Sequence, residues 1–468
     1  MGERAEEAVA VSVPLLRPSS PAGSVERWRG PEGQAMGGGG ATWAQTLGNI
    51  VVSIVGTGVL GLPFAFRVAG WLAGSLGVAA AGLANYYWSK KVRPGKRQTE
   101  SLRTISKGLV CKVQCRHKLE EDEEEIDEPS QIQTYGDLGE KAFGSIGRCL
   151  TELLILVAQT GGSVAYLVFI GQNLSSVFSS TKTKDYLVSP SVFIFLVLLP
   201  VEIALSFIRS LASLAPFSAF ADACNVLAMA IVIKEDFPLF NNPFKTRNAF
   251  NGALGLPFAA GVAVFCFEGF SMTLALERSM AERKKFQWVL CQAFLVISLV
   301  YICFGIFGYF AYGDETKDII TLNLPNNLSS IAVKVGLCIA LAFTFPMMMH
   351  PIHEILEAKL KSSRWFQKAC NKVQVAERLG LHGIRILAVV ALAVLASFIP
   401  GFGSFISFVG STLCALLSFV LPASFHLTFL GSSMALWQRM LDYCILLVGL
   451  VFAVYGTYDA ISGHSISS

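Results

Sequence analysis

Apolar residues run along this chain in blocks of about 20, separated by short polar stretches. That is the length an α-helix needs to cross roughly 30 Å of hydrocarbon. The blocks predict spans at 43–67, 71–88, 149–178, 190–208, 211–234, 252–277, 286–312, 328–350, 384–399, 401–422 and 437–458, about eleven in all. The third is long enough to require tilt, and the ninth ends where Pro400 and Gly401 turn the chain into the tenth. Residues 1–42 are polar and rich in Gly, Pro and Glu, and read as a disordered tail. The longest polar interruption is the loop 89–148. Its acidic run Glu120 to Glu125 shares the loop with many basic residues and reads as a solvated linker.

Composition agrees with this pattern. The chain is 53% hydrophobic and 15% charged, with a mean hydropathy of +0.55, too apolar for a soluble protein of this length. The reading is an all-α polytopic membrane protein whose first partner is the lipid bilayer. No nucleic-acid partner is expected; the net charge of +4 itself says little about partners, because the charges are distributed by topology. Of the 37 Lys and Arg, 29 fall in the tail and on the side that shares it. By the positive-inside rule the N-terminus is cytosolic and the C-terminus lies outside. Cysteines lie mainly in the spans, which argues against a disulfide framework. "CKVQCRH" (111–117) is a tempting metal motif, but with no second cluster it is read without a metal.

Two spans are spoiled in their middles. The first reads "SIVGTGVLGLPFA" from Ser53 to Ala65, with three glycines and a proline in mid-membrane. Each interior glycine costs a helix about 1 kcal/mol relative to alanine, and a proline about 3. In hydrocarbon, irregular backbone persists only where it lines a cavity or meets a ligand. Gly56 and Gly58 flank Thr57, so a half-helix starting after Gly58 would offer free N–H groups and a positive dipole end to an anion. Gly-x-Gly also serves close helix packing, so this break alone leaves two readings open. A second break, Glu268–Gly269 in "GVAVFCFEGFSMTLALE", lies five spans later. Five is odd, so the second set of five crosses the membrane inverted. Repeats of that kind bind substrate at the midplane between discontinuous helices. The octapeptides "GVLGLPFA" (58–65) and "GALGLPFA" (252–259) differ at one position and are read as shared composition.

Three acids lie within spans: Glu202, Asp222 and Glu268. Without a nearby cation, such groups tend to hold a proton. Glu268 is the first candidate for proton coupling because it sits at a break, and capping of half-helix N–H groups is its alternative role. Asp222 and Glu202 follow. Sodium coupling would need oxygens between the first and eighth spans, where Thr344 offers one. Near the breaks there is one acid, no base and many small or aromatic side chains, which suits a zwitterion with a neutral side chain. No nucleophile–base spacing or metal-ligand cluster points to an enzyme.

The segments "GTGVLGLPFAF", "TYGDLGEKAFG", "FCFEGFSMTLALE", "YGDETKDIITLNLP" and "GSTLCALLSFVLP" resemble the amino acid/auxin permease family. The likeness runs from about 43 to 460 and is strongest to the plant aromatic and neutral amino acid transporters, which are related to vacuolar amino acid transporters. The resemblance implies a LeuT-type 5+5 inverted repeat, with repeats at 43–234 and 252–422 and an added helix at 437–458. Helices 1 and 6 would be discontinuous. It also implies secondary transport of neutral, including aromatic, amino acids. Coupling would be to H+ with no other cofactor, in a vacuolar or other endomembrane, with the plasma membrane as alternative. On the family pattern Gly56, Thr57, Gly58 and Val59 hold the substrate carboxylate, with Phe265, Phe267 and Glu268 opposite. Sodium-coupled relatives tend to carry Asn where Val52 stands, which favours protons. The alternatives are a sodium-coupled or auxin-type organic acid carrier and an amino-acid-sensing receptor. One departure stands out: a polar stretch, 89–112, follows "YYW" (86–88) and leaves the second span some 17 residues long, either a loop insertion or a damaged span.

Overall fold

The computed structural model describes residues 42–91, 135–179, 189–207, 211–239, 246–268, 280, 282–325, 327–372, 374–430 and 434–462. The N-terminal tail, the acidic run and the second half of the sixth span lie outside this set. Nearly all regular structure among the described residues is helical. Six helices are long and apolar enough to cross a membrane, and three shorter apolar helices cover 57–69, 190–206 and 253–266.

The first span is two helices. α1 (Trp43–Ile54) starts from a capping box in which Thr42 and Gln45 satisfy each other's backbone N–H. It ends at Val55, Gly56 is fully extended, and a 3₁₀ turn (Thr57–Gly61) leads into α2 (Leu62–Ala69). The interruption thus falls at Val55–Gly56, and the second half begins at Thr57, not after Gly58 as expected. α3 (Trp71–Lys91) has 21 residues, about 31 Å at 1.5 Å per residue. The helix runs past the 17 apolar residues: Ser89, Lys90 and Lys91 continue it, and Trp88 is completely buried.

α4 (Tyr135–Ser179) bends at Gly144, where φ is +70°. α5 (Pro190–Ser206) and α6 (Leu211–Asp236) follow. α7 (Leu256–Cys266) lies in the predicted sixth span and ends at Cys266, with Phe267 and Glu268 beyond it non-helical. α8 (Phe286–Tyr312) and α9 (Leu328–Ser362) are joined by an outer loop, and the short α10 (Arg364–Lys372) leads to α11 (Gln374–Ser397). α12 (Phe402–Leu430) contains two π-helical turns, and α13 (Leu436–Ser462) closes the chain.

The octapeptides share more than composition. Each forms a 3₁₀ turn and then starts an α-helix at Leu-Pro: Leu62–Pro63 in one, Leu256–Pro257 in the other. Proline fits there because the first helical amides lack an intrahelical acceptor. The matching phenylalanines, Phe64 and Phe258, meet edge to face at 5.6 Å. At their outer ends the two segments are tied by Asn251 donating to the Arg67 carbonyl at 2.6 Å and by backbone bonds from Trp71 and Leu72 to Asn248 and Ala249.

Packing divides the helices into two groups. α2, α3, α7 and α8 contact one another, while α4, α5, α9 and α11 form a second group. α12 joins the groups by packing on both α7 and α4, α6 lies along α9 and α8, and α13 lies on α12. Small residues let the helices approach. Phe66 fills a hole made by Gly74 of α3 and Gly305 of α8, where an added Cβ would come within 2.7 Å of its ring at either position. Leu447, Val448, Val451 and Val454 of α13 are exposed and supply a lipid-facing surface.

Candidate functional site

The two interrupted helices end side by side. The Ile54 carbonyl, at the end of α1, accepts from the Gly56 N–H at 2.9 Å, and the Cys266 carbonyl stands at the end of α7. One hydroxyl meets both: Tyr301 Oη, fully buried on α8, lies 3.1 Å from the Ile54 oxygen and 3.1 Å from the Cys266 oxygen. A phenol carries one proton, so it donates to one carbonyl at a time or is shared between them. Two negative helix ends therefore converge on a single neutral donor. Beside them, the 3₁₀ turn that starts at Thr57 supplies the opposite polarity, with first-turn amides that lack intrahelical acceptors.

Thr57, Gly58 and Val59 are all buried in this turn. Gly58 faces α7 directly: a Cβ there would sit 3.0 Å from Cys266 Sγ and 3.1 Å from Phe265 Cδ1. Gly56 has open space around it. Phe265 is half-buried and covers Gly58 from one side and Gly410 of α12 from the other. Glu268 follows the end of α7 in non-helical backbone, and its Oε2 accepts a hydrogen bond from Cys414 Sγ of α12 at 3.6 Å. The structure thus gathers Gly56, Thr57, Gly58, Val59, Phe265 and Glu268 where α1, α7 and α12 meet.

Phe267 points elsewhere. Its ring packs against Tyr301 at 5.2 Å, stacks on Phe294 at 6.1 Å and approaches Gly82. It holds α7 to α3 and α8 and turns its side chain away from Thr57. Glu202 is also apart from the breaks. It is completely buried on α5 with neither carboxyl oxygen hydrogen-bonded, in a helix that packs on α9 and α11. One turn on, the Ser206 carbonyl accepts from Arg385 at 2.7 Å, and Arg385 also bonds Glu357 at 2.5 Å. The side chains of Asp222 and Val52 lie outside the described set.

Tyr301 is the residue that sequence reasoning passed over. Its signal is thin: one hydroxyl among several in the span, with Ser298, Tyr309 and Tyr312 beside it. Residues 313–325 form a loop packed on the ends of α2 and α12. Ile319 and Ile320 are completely buried, and Thr321 donates to Asn173 Oδ1 at 2.6 Å. Arg67 reaches the Thr316 carbonyl at 2.9 Å, and Asp318 accepts from the Phe402 and Gly403 amides at the start of α12.

A family model described as "Transmembrane amino acid transporter protein" matches residues 39–91 and 109–462, passing over most of the polar stretch after α3. The chain is 53% identical over 443 residues to amino acid transporter ANT1 of Arabidopsis thaliana, covering 93% of this chain and 96% of that one. It is 24% identical over 453 residues to vacuolar amino acid transporter 4 of Saccharomyces cerevisiae, covering 88% of this chain and 57% of that one. Among solved structures it is similar to MhsT in complex with L-phenylalanine, with a TM-score of 0.50 at 14% identity over 90% of this chain and 99% of that chain. That likeness gives the chain a LeuT-type fold.

Proposed function

From a chain that belongs to the transmembrane amino acid transporter family, we propose a secondary carrier of neutral amino acids, aromatic ones included, driven by protons across a vacuolar or other endomembrane. One arrangement carries the reading: an N-terminal 3₁₀ end and two C-terminal helix ends meet within the bundle. An α-carboxylate fits the amides of Thr57 and Gly58, with the Thr57 hydroxyl beside them. The α-ammonium fits the carbonyl ends of α1 and α7, where it would take the place of the Tyr301 proton on one of them. The substrate side chain then meets Phe265 and the small surface of Gly410, which favours an uncharged group. Phe267 contributes by fixing the end of α7.

Glu268 adjoins the ammonium position, and its hydrogen-bond donor is a thiol, a weak partner for a charged carboxylate. No ion pair to Glu268 forms among the described residues. Protonation and substrate can therefore sense each other there. Glu202, remote from the breaks, and Asp222 remain second candidates for the proton site. Thr344, the oxygen a sodium site would use, donates its hydroxyl proton to the Ala340 carbonyl of its own helix at 2.9 Å. The name of the yeast relative supports a vacuolar membrane.

The test is uptake of labelled neutral amino acids into proteoliposomes under an imposed pH gradient, with sodium replaced by choline. Wild type should accumulate substrate without sodium. Glu268→Gln should exchange substrate across the membrane but lose gradient-driven accumulation. Unchanged accumulation by the variant removes Glu268 as the proton site, and a strict sodium requirement removes proton coupling.

A further inference from the structure

Asp236 is the last residue of α6, just past the apolar stretch 211–234, on the outer side of the fold. It is completely buried, and neither carboxyl oxygen makes a hydrogen bond of good geometry. It faces the Tyr312 hydroxyl, which is equally without a completed bond. Tyr312 is the last residue of α8, and Gly313 follows at φ +55°. That left-handed turn, which only glycine adopts readily, is where the outer loop 313–325 departs. A buried acid therefore touches the hinge of that loop.

The other charged groups around it are already engaged. Glu235, next in the chain, pairs with Lys234 at 3.5 Å and accepts from Asn327 and Ser329 of α9 at 3.4 Å each. Lys334 of α9 is turned to Ser176 of α4, with Nζ 3.1 Å from its hydroxyl. Arg247 packs on Gly313 and donates to the Phe310 carbonyl at the end of α8. Arg247 keeps its Nε unbonded, but no ion pair to Asp236 forms among the described residues, so an ionised Asp236 would be a buried charge without a close counter-ion.

We infer that Asp236 is a proton-binding site on the outer side of the fold, and that its charge sets how firmly the 313–325 loop closes. A protonated carboxyl carries no charge and can rest in its dry position. An ionised one draws water into the junction of α6, α8 and α9 and loosens the hinge. Burial, opposed by the Tyr312 hydroxyl and reinforced by the charge of Glu235, pushes the Asp236 carboxyl up to about 7. With the loop open and Asp236 in water, the carboxyl returns toward its ordinary value near 4. The closed form thus binds the extra proton between these two values. Closure is favoured in acid, weakens by up to about tenfold per pH unit as pH rises through the window, and levels off above about 7.

Hydrogen–deuterium exchange of residues 313–325 in the full-length reconstituted protein tests this, from pH 5 to pH 8 with the intrinsic pH effect removed. Wild-type loop opening should rise by up to about tenfold per unit to near pH 7 and then flatten. Asp236→Asn should stay at the acid level throughout. Tyr312→Phe removes the group that favours the ionised form, so its midpoint should move to higher pH, and it provides a reading should the first variant not fold. A flat wild-type profile, a wild-type slope in Asp236→Asn, or an unmoved midpoint in Tyr312→Phe overturns the inference. The readout involves no substrate, so failure here leaves the transport reading intact.

Discussion

At the scale of single residues, the site rests on one donor and one missing side chain. Tyr301 Oη is shared between the Ile54 carbonyl, which also accepts from the Gly56 N–H at 2.9 Å, and the Cys266 carbonyl. Leaving a buried acceptor unmatched costs about 1–3 kcal/mol, so Tyr301→Phe should destabilise the protein by that order in denaturant unfolding in detergent. Its ring packing on Phe267 would be kept, so a larger loss would show that the hydroxyl holds the two breaks in register. At Gly58 the added methyl of Gly58→Ala would press on Cys266 and Phe265. We expect substrate affinity to fall by at least about tenfold, roughly 1.4 kcal/mol, and Gly58→Ala/Phe265→Leu to recover part of it in a binding assay. Affinity equal to wild type in Gly58→Ala would mean that this glycine serves packing alone. The sequence marked Gly58 because its residue type is costly where it stands. It could not mark Tyr301 in the same way, because the partners of that hydroxyl lie 247 and 35 positions away in the chain.

At the scale of elements, backbone contact sorts the glycines. Gly410, at the first π-turn of α12, would drive an added Cβ into the Gly261 carbonyl of α7, and Gly261 in turn would meet the Ser407 carbonyl at 2.5 Å. Neither backbone can yield without parting the helices. Gly410→Val should therefore abolish a monodisperse folded species in fluorescence-detected size exclusion. Gly77 of α3 has nothing within 4 Å of an added methyl. Gly77→Ala should fold normally and gain up to about 1 kcal/mol from helix propensity. Apolar periodicity was enough to locate α8, whose residues 286–312 match the predicted span end to end. It fell short for α9 and α11, which run on as helices through polar residues beyond the apolar stretch. Hydropathy reports where lipid is, and helix propensity continues past it. The start of the second half-helix at Thr57 was hidden for a related reason. Glycine marks where a helix can stop, and the backbone hydrogen bonds decide where it does.

At the scale of the whole molecule, the two ends of the candidate site differ in closure. Its outer end lies under the 313–325 loop, which is pinned by Arg67, Asn173 and the Asp318 cap on α12. On the other side α1 packs against α8, while Trp43, Gln45 and Gly48 are exposed, with open space around Gly48 among the described residues. A carrier of alternating access needs one barrier shut and the other able to open, and the 313–325 loop is a candidate for the shut one. With the exposed cysteines 149, 303 and 444, and Cys111, Cys115 and Cys370, replaced by serine, Gly48→Cys should react with a membrane-impermeant maleimide at least about tenfold faster than Ile320→Cys. It should do so from the side that carries the N-terminus, the cytosolic side if the positive-inside expectation holds. Saturating substrate should slow labelling at residue 48 if both half-helices close around it. Equal rates at the two positions would show that the outer loop is no barrier. Labelling of residue 48 from the opposite side would invert the orientation, and with it the direction in which a proton gradient could drive uptake.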